Sequence, residues 1–254
     1  MNKPIYLKDS IIKCLTTNSQ NFNNSIQFER SLLVAIHRNI GKIDFIEKLQ
    51  AFFKNKNICN EKINKLIMNW WLGNVTLVSS NKNKIEEFKK HVPELIIKSG
   101  LDRKEVFGTM NEVIIHKSKD SGEGYLVEDT ILLINGEEVV DIKWKIEELK
   151  EGDKASWIVS LGYNSGNYIY IVRGIIEGYI TLKKEIKNGF GFDPYFIPIN
   201  CKEKLSLMEL DQKGMKDKYS ARKIALENFK KMKFDINPIK VSSIPNWTGK
   251  YQND

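Results

Sequence analysis

The chain has 254 residues, 41% of them hydrophobic and 10% aromatic, and a formal net charge of +8, enough for a substantial core and for one domain with an appendage. No run approaches the roughly 20 apolar residues of a membrane span, and Met1–Ser10 lacks the charged-then-apolar order of a secretory signal, so no membrane partner and a cytoplasmic address are expected. Cys14, Cys59 and Cys201 form no CxxC pair and the lysines scatter without aromatic neighbours, which argues against a disulfide framework, a zinc knuckle and a nucleic-acid surface.

Before Gly73 the only glycine and proline are Gly41 and Pro4. From Ser25 to Trp71 apolar residues recur at helical spacing (Phe28, Leu32, Leu33, Ile36, then Phe45, Ile46, Leu49, Phe52, Phe53), so residues 1–72 read as a helical N-terminal extension. From Val75 short apolar runs alternate with amphipathic segments. Val75–Val78 predicts a strand and Lys84–His91 the helix after it; Asn111–Lys119 predicts a helix, and Leu126–Val127 and Ile131–Ile134 predict strands. A helix at Ile142–Leu149, strands at Ala155–Leu161, Tyr168–Val172 and Tyr179–Leu182, and a helix at Arg222–Met232 complete the series. Strands outnumber helices, which predicts an α/β fold on a mixed rather than a purely parallel sheet. Residues 234–254, with Pro238 and Pro245, read as an irregular tail.

Four features could carry chemistry. The strand ending at Val78 runs into Ser79-Ser80-Asn81-Lys82-Asn83-Lys84 before a helix; small polar side chains, backbone N–H groups and lysines at a helix N-terminus suit phosphate, and equally suit a capped helix with solvated lysines. Acidic positions follow at Glu105, Glu112 and the pair Glu128-Asp129. Converging carboxylates could carry Mg²⁺, which commonly bridges one or two of them to substrate phosphates; one of the pair could instead face solvent while the other caps a turn. In Asn188 to Pro198 aromatics flank Asp193 among glycines and prolines, a place where a base could stack and its edge donate to a carboxylate, or a turn with core aromatics. Lys216 to Arg222 opens a basic helix.

Together and in this order the four features resemble the inosine triphosphate pyrophosphatase family, enzymes acting on non-standard purine triphosphates. Ser79 to Phe88 is similar to its (T/S)-G-N-x-x-K-x-x-E opening, Leu126 to Thr130 to its V-E-D-T/S, Gly189 to Pro194 to its F-G-(W/Y/F)-D-P, and Lys216 to Arg222 to its K-x-x-x-S-H-R. The spacing of Glu105, Glu112 and Lys117 and the run Ile142-Lys143-Trp144 fit as well, so the resemblance covers about residues 73–233. It implies an elongated two-lobed α/β fold with a central mixed sheet and a nucleotide cleft, a homodimer, and hydrolysis of ITP, dITP or XTP to monophosphate and pyrophosphate. Ser79, Asn81, Lys84 and Lys117 would hold the triphosphate. Glu105 and Asp129 would carry Mg²⁺ with Glu112 near them, and Asp129 would activate water. Phe190, Phe192 and Asp193 would face the purine, with Lys216, Ser220 and Arg222 closing over it and Lys216 and Arg222 donating to a 6-oxo group.

The chain departs from the pattern at Ala221, where the family has His, at Ser80 in place of glycine, and at Asn135 to Asp141, a shorter loop after the acidic strand. Residues 1–72 are no part of it. These departures keep a second reading open: a sensor that binds a non-standard triphosphate with little turnover and signals to a protein partner through residues 1–72.

Overall fold

The computed structural model describes residues 75–93, 95–99, 105–139, 146–182 and 191–252. The N-terminal extension, the run Ile142-Lys143-Trp144 and Phe190 lie outside these residues. In chain order the elements are β1 (Thr76–Val78), α1 (Lys82–His91), β2 (Ile96–Lys98), α2 (Met110–Ser121), β3 (Tyr125–Ile134), β4 (Glu137–Val139), β5 (Lys154–Asn164), β6 (Tyr168–Ile180), β7 (Phe196–Pro198), α3 (Leu207–Gln212), α4 (Ala221–Lys230) and β8 (Ile239–Lys240).

The strands form one mixed sheet in the order β2-β1-β3-β5-β6-β7, with β4 added to β3 and β8 to β6. β2, β1 and β3 run parallel, while β3, β5, β6 and β7 alternate in direction. The expected mixed α/β architecture is borne out. Two pairs of expected strands prove to be single strands, because β3 runs unbroken from Tyr125 to Ile134 and β6 from Tyr168 to Ile180. Of the expected helix at 142–149, residues 142–145 lie outside the described residues, and Ile146–Glu148 form a 3-10 turn. After β3, Asn135 and Gly136 take positive φ (52° and 90°) and fold β4 back on its neighbour, the tight hairpin that an Asn-Gly pair favours.

Each face of the sheet carries its own apolar cluster. On one side Ile114 of α2 packs with Val127, Ile169, Ile171 and Ile244; on the other Leu132, Ala155, Ile180, Phe192, Phe196 and Leu207 form a second cluster. The helices lie very close to the sheet. A Cβ on Gly162 would stand 2.0 Å from Ser118 Oγ of α2, and one on Gly174 would stand 1.9 Å from the Ala221 carbonyl oxygen of α4, so both strands need glycine where a helix crosses them.

Candidate functional site

The register leaves an opening in the middle of β3. Among the described residues β1 meets β3 only at Tyr125 and Leu126, and β4 meets it only at Leu132 to Ile134. Val127 to Ile131 therefore have a neighbouring strand on the β5 side alone, and the polar loop Ser79–Asn81 at the end of β1 lies toward this open edge. Glu128 and Asp129 occupy it. Successive residues of a strand point to opposite faces, so these two carboxylates part company and seed separate clusters.

On the α4 face Glu128 is only 4% exposed. Lys84 Nζ lies 2.5 Å from its Oε2, Arg222 Nη2 donates to Oε1 at 3.1 Å, and the Thr130 hydroxyl donates to the same oxygen. Burial would push this carboxyl up, but Lys84 and Arg222 beside it hold it far below the usual carboxylate range. The network continues outward: Arg222 Nη1 pairs with Glu87, Lys216 Nζ with Glu87 Oε1 at 3.2 Å, and Lys216 Nζ donates to Asp193 Oδ2 at 2.5 Å. Burial holds the Asp193 carboxyl above its ordinary value against the pull of Lys216. A cleft of about 410 Å³ opens over this end of the network, with Asn83, Glu87, Asp193, Lys216 and Ser220 in its walls.

On the α2 face Lys117 pairs with Glu105, and its Nζ lies 3.6 Å from Asp129 Oδ1. Burial raises the Asp129 carboxyl above its ordinary value despite Lys117, and Glu128 and Glu105 push the same way. Burial would lower the Lys117 ammonium, but Asp129 and Glu105 raise it. The two clusters sense each other across the strand, since Lys84 and Glu128 also act on the Asp129 carboxyl.

The expected site residues are thus brought together in part. Glu105, Lys117 and Asp129 meet on one face; Lys84 is held by Glu128 on the other, with Arg222, Lys216 and Asp193 beyond it. Asn81 is the N-cap of α1, its Oδ1 accepting from Lys84 N at 3.2 Å, and Ser79 Oγ accepts from Asn81 N at 3.3 Å. Ser220 caps α4 and accepts from Lys223 N at 3.2 Å. Glu112 is turned into a capping box at the start of α2: its Oε2 accepts from both the amide and the hydroxyl of Thr109 at 2.8 Å, and it joins no ion pair in either cluster. Phe192 is fully buried in the core, where it meets Trp157 edge-on at 6.3 Å, so no face of it is open to a base. Glu87 had been given no role, and Glu128 had been read only as one of the carboxylates that could converge on a cation. Glu87 bridges both basic side chains of the cleft, and Glu128 anchors the network. For Glu87 the signal was its position three residues after Lys84, on the same side of a helix.

A mixed sheet with lysine and carboxylate clusters at an open strand edge, beside the loop that ends a parallel strand, defines an α/β protein with a charged cleft where open sheets usually take phosphate ligands. The chain belongs to the Ham1 family, whose model matches residues 75–232, and the resemblance carried by the four motifs is borne out. A dITP/XTP pyrophosphatase of Staphylococcus epidermidis is 28% identical over 189 residues, covering 72% of this chain and 87% of that protein. Among solved structures, a HAM1 protein from Coxiella burnetii is similar at 22% identity and a TM-score of 0.47, over 62% of this chain and 98% of that one. The Staphylococcus aureus Ham1 protein is similar at 21% and 0.46, over 62% and 97%. No helix among the described residues is long and apolar enough to cross a membrane.

Proposed function

We propose that the chain hydrolyses non-standard purine nucleoside triphosphates (ITP, dITP and XTP) to the monophosphate and pyrophosphate, acting as a homodimer in the cytoplasm. The observation that carries this reading is the meeting of Asp129, Lys117 and Glu105 at the unpaired stretch of β3. Asp129 is the water-activating base. Buried at the unpaired stretch of β3 beside Lys117, its carboxylate is placed to accept a proton from a water there. It draws a proton from the water that attacks the α-phosphorus, and pyrophosphate leaves. Lys117 and Lys84 set their ammonium groups against the phosphates and neutralise charge that builds up in the transition state. Ser79 and Asn81 present the loop before α1 to the same phosphates.

Among the described residues no three His, Cys, Asp or Glu side chains form a ready-made metal cage. Two carboxylates at one lysine do fit Mg²⁺, which is usually completed by water and substrate phosphates. We assign Glu105 and Asp129 as its protein ligands and leave Glu112 to the helix cap. Bound there, the cation would polarise the phosphate oxygens and lower the pKa of the attacking water. The base enters the cleft walled by Asp193, Lys216 and Ser220. Lys216, held between Asp193 and Glu87, is the donor toward a 6-oxo group with its remaining proton, and a 6-amino purine would set a donor against it. Arg222, nearly buried between Glu87 and Glu128, supports that wall.

The test is a panel of ITP, dITP, XTP, GTP and ATP scored for binding and for pyrophosphate release with and without Mg²⁺. Metal-dependent pyrophosphate from the 6-oxo, non-standard members is expected. Orthophosphate as the product would exclude the reaction, and tight binding without turnover would make the chain a sensor.

A further inference from the structure

The family match ends at residue 232, yet the chain beyond it is tied to the catalytic face residue by residue. β8 joins the edge of β6 at Tyr168 and Ile169, and Ile244 is buried against the α2 side of the sheet. Lys119, on α2, then grips the chain: its Nζ donates to Ile244 O at 3.0 Å, to Pro245 O at 3.1 Å and to Asn246 Oδ1 at 3.1 Å. Three acceptors match the three protons of an ammonium group. The Trp247 ring meets His116 of α2 edge-on at 5.1 Å, and its Nε1 donates to Lys250 O at 2.8 Å, closing a turn. Gly108 and Gly249 lie against the same ring; a Cβ would stand 3.2 Å from it at the first and 2.6 Å at the second.

From that turn the chain runs antiparallel along the segment carrying Glu105. Phe107 N donates to Lys250 O at 2.9 Å, Gln252 N to Glu105 O at 2.8 Å, and Gln252 Nε2 to Val106 O at 3.3 Å, with Tyr251 bridged to Val106. Glu105 itself reaches Lys117, which lies on α2 between His116 and Lys119. The strap therefore holds both parts whose spacing sets the Glu105–Lys117–Asp129 cluster: the backbone of Glu105 and the last turns of α2.

Resting on the function proposed above, we propose that residues 239–252 are a positioning element of the active site, with Trp247 its central positioning residue, fixing Glu105 for the divalent cation and for Lys117. A ligand that must be held within a few tenths of an ångström loses affinity when its supporting partners are removed, by about 10- to 100-fold.

The experiment compares the full chain with Trp247→Ala and with Gln252→Pro, which deletes both the amide donor to Glu105 and the side-chain donor to Val106 and leaves the core untouched. Hydrogen exchange of residues 105–108, Mn²⁺ binding by the nucleotide-free protein, and steady-state kinetics are measured on each. Faster exchange confined to 105–108, with about tenfold weaker Mn²⁺ binding, lower kcat and unchanged KM for the nucleotide, is expected. Released exchange at 105–108 with wild-type Mn²⁺ affinity and kcat in either variant overturns the strap. So does a loss of kcat in Gln252→Pro that comes only with a lower Tm and faster exchange throughout the sheet. A wild-type chain that binds Mn²⁺ but releases no pyrophosphate sinks the proposed reaction and leaves the Mn²⁺ and exchange comparison to decide the strap.

Discussion

Replacing Glu128 with Gln keeps the shape of the side chain and removes its charge, and the structure sets what that should cost. The carboxylate is 2% exposed, Arg222 6% and Lys84 22%. Without the charge Arg222 keeps Glu87 alone, and Lys84 faces an amide. Breaking a buried ion pair from one side costs roughly 3–5 kcal/mol. The surviving Arg222–Glu87 pair and the partial exposure of Lys84 put this case at the lower end, about 3 kcal/mol, or a fall in Tm of about 6–12 °C for a unit of this size. Urea denaturation at pH 7 measures it as a lower midpoint at unchanged slope. The pH dependence supplies a second check. Because the folded-state pKa of Glu128 is depressed, its stabilising contribution is fully present above the unfolded value of 4.5 and is lost as pH falls from there toward the folded value. The gap between wild type and variant should therefore narrow progressively below pH 4.5, and adding Arg222→Met should recover part of the loss. A variant within about 1 kcal/mol of wild type at pH 7, or a gap that does not change with pH, would refute the assignment of Glu128 as the anchor.

Asp129→Asn should abolish pyrophosphate release while nucleotide binding persists, as read from product release and from nucleotide binding on the same preparation. Unchanged kcat would remove Asp129 from the mechanism. Lys216→Met should lower kcat/KM for ITP by tenfold or more, in line with roughly 1.5–3 kcal/mol for a charged hydrogen bond, and should leave ATP turnover almost unaffected; equal losses on both would assign Lys216 a purely structural role. Gly174→Ala should destabilise by at least the upper end of the roughly 1–3 kcal/mol typical of overpacking, because the new Cβ meets backbone atoms of α4 at 1.9 and 2.4 Å. Gly162→Ala, which meets the Ser118 hydroxyl, should be eased by adding Ser118→Ala, and thermal melts that rank the two glycines the other way would count against the packing described.

The mixed sheet, α1, α2 and α4 were legible because each carries an apolar period that packing then reinforces. The two split strands show where that signal stops. In β3 the run Glu128-Asp129-Thr130 interrupts the apolar alternation, and in β6 Arg173-Gly174 does the same. Both strands continue because tertiary partners satisfy what the local sequence leaves open: Lys84, Arg222 and Lys117 around the carboxylates, Ser160 and Asn111 accepting from Arg173, and α4 seated on Gly174. The order of the motifs pointed to the site residues, but not to their division between two faces. That division follows from the two-residue period of a single strand, invisible while β3 reads as two. The tail read as irregular has little regular structure, and its role lies in side-chain and amide contacts with α2 and Glu105 that no local pattern announces.

The charge count on the two faces explains why neighbouring carboxylates can do different work. On the α4 face three cations, Lys84, Arg222 and Lys216, meet three carboxylates, Glu128, Glu87 and Asp193. That network is balanced, so it can be buried and stiff. On the α2 face, among the described residues, two carboxylates, Glu105 and Asp129, share the single ammonium of Lys117. One negative charge is left over in a partly desolvated place, which is the condition under which a carboxylate keeps a raised pKa or gains a cation. Completing the balance on the second face with another basic side chain would take the place of the cation, and unbalancing the first would loosen the cleft wall. The alternation of one strand keeps the two requirements apart at adjacent residues, so that stability is drawn from Glu128 and reactivity from Asp129.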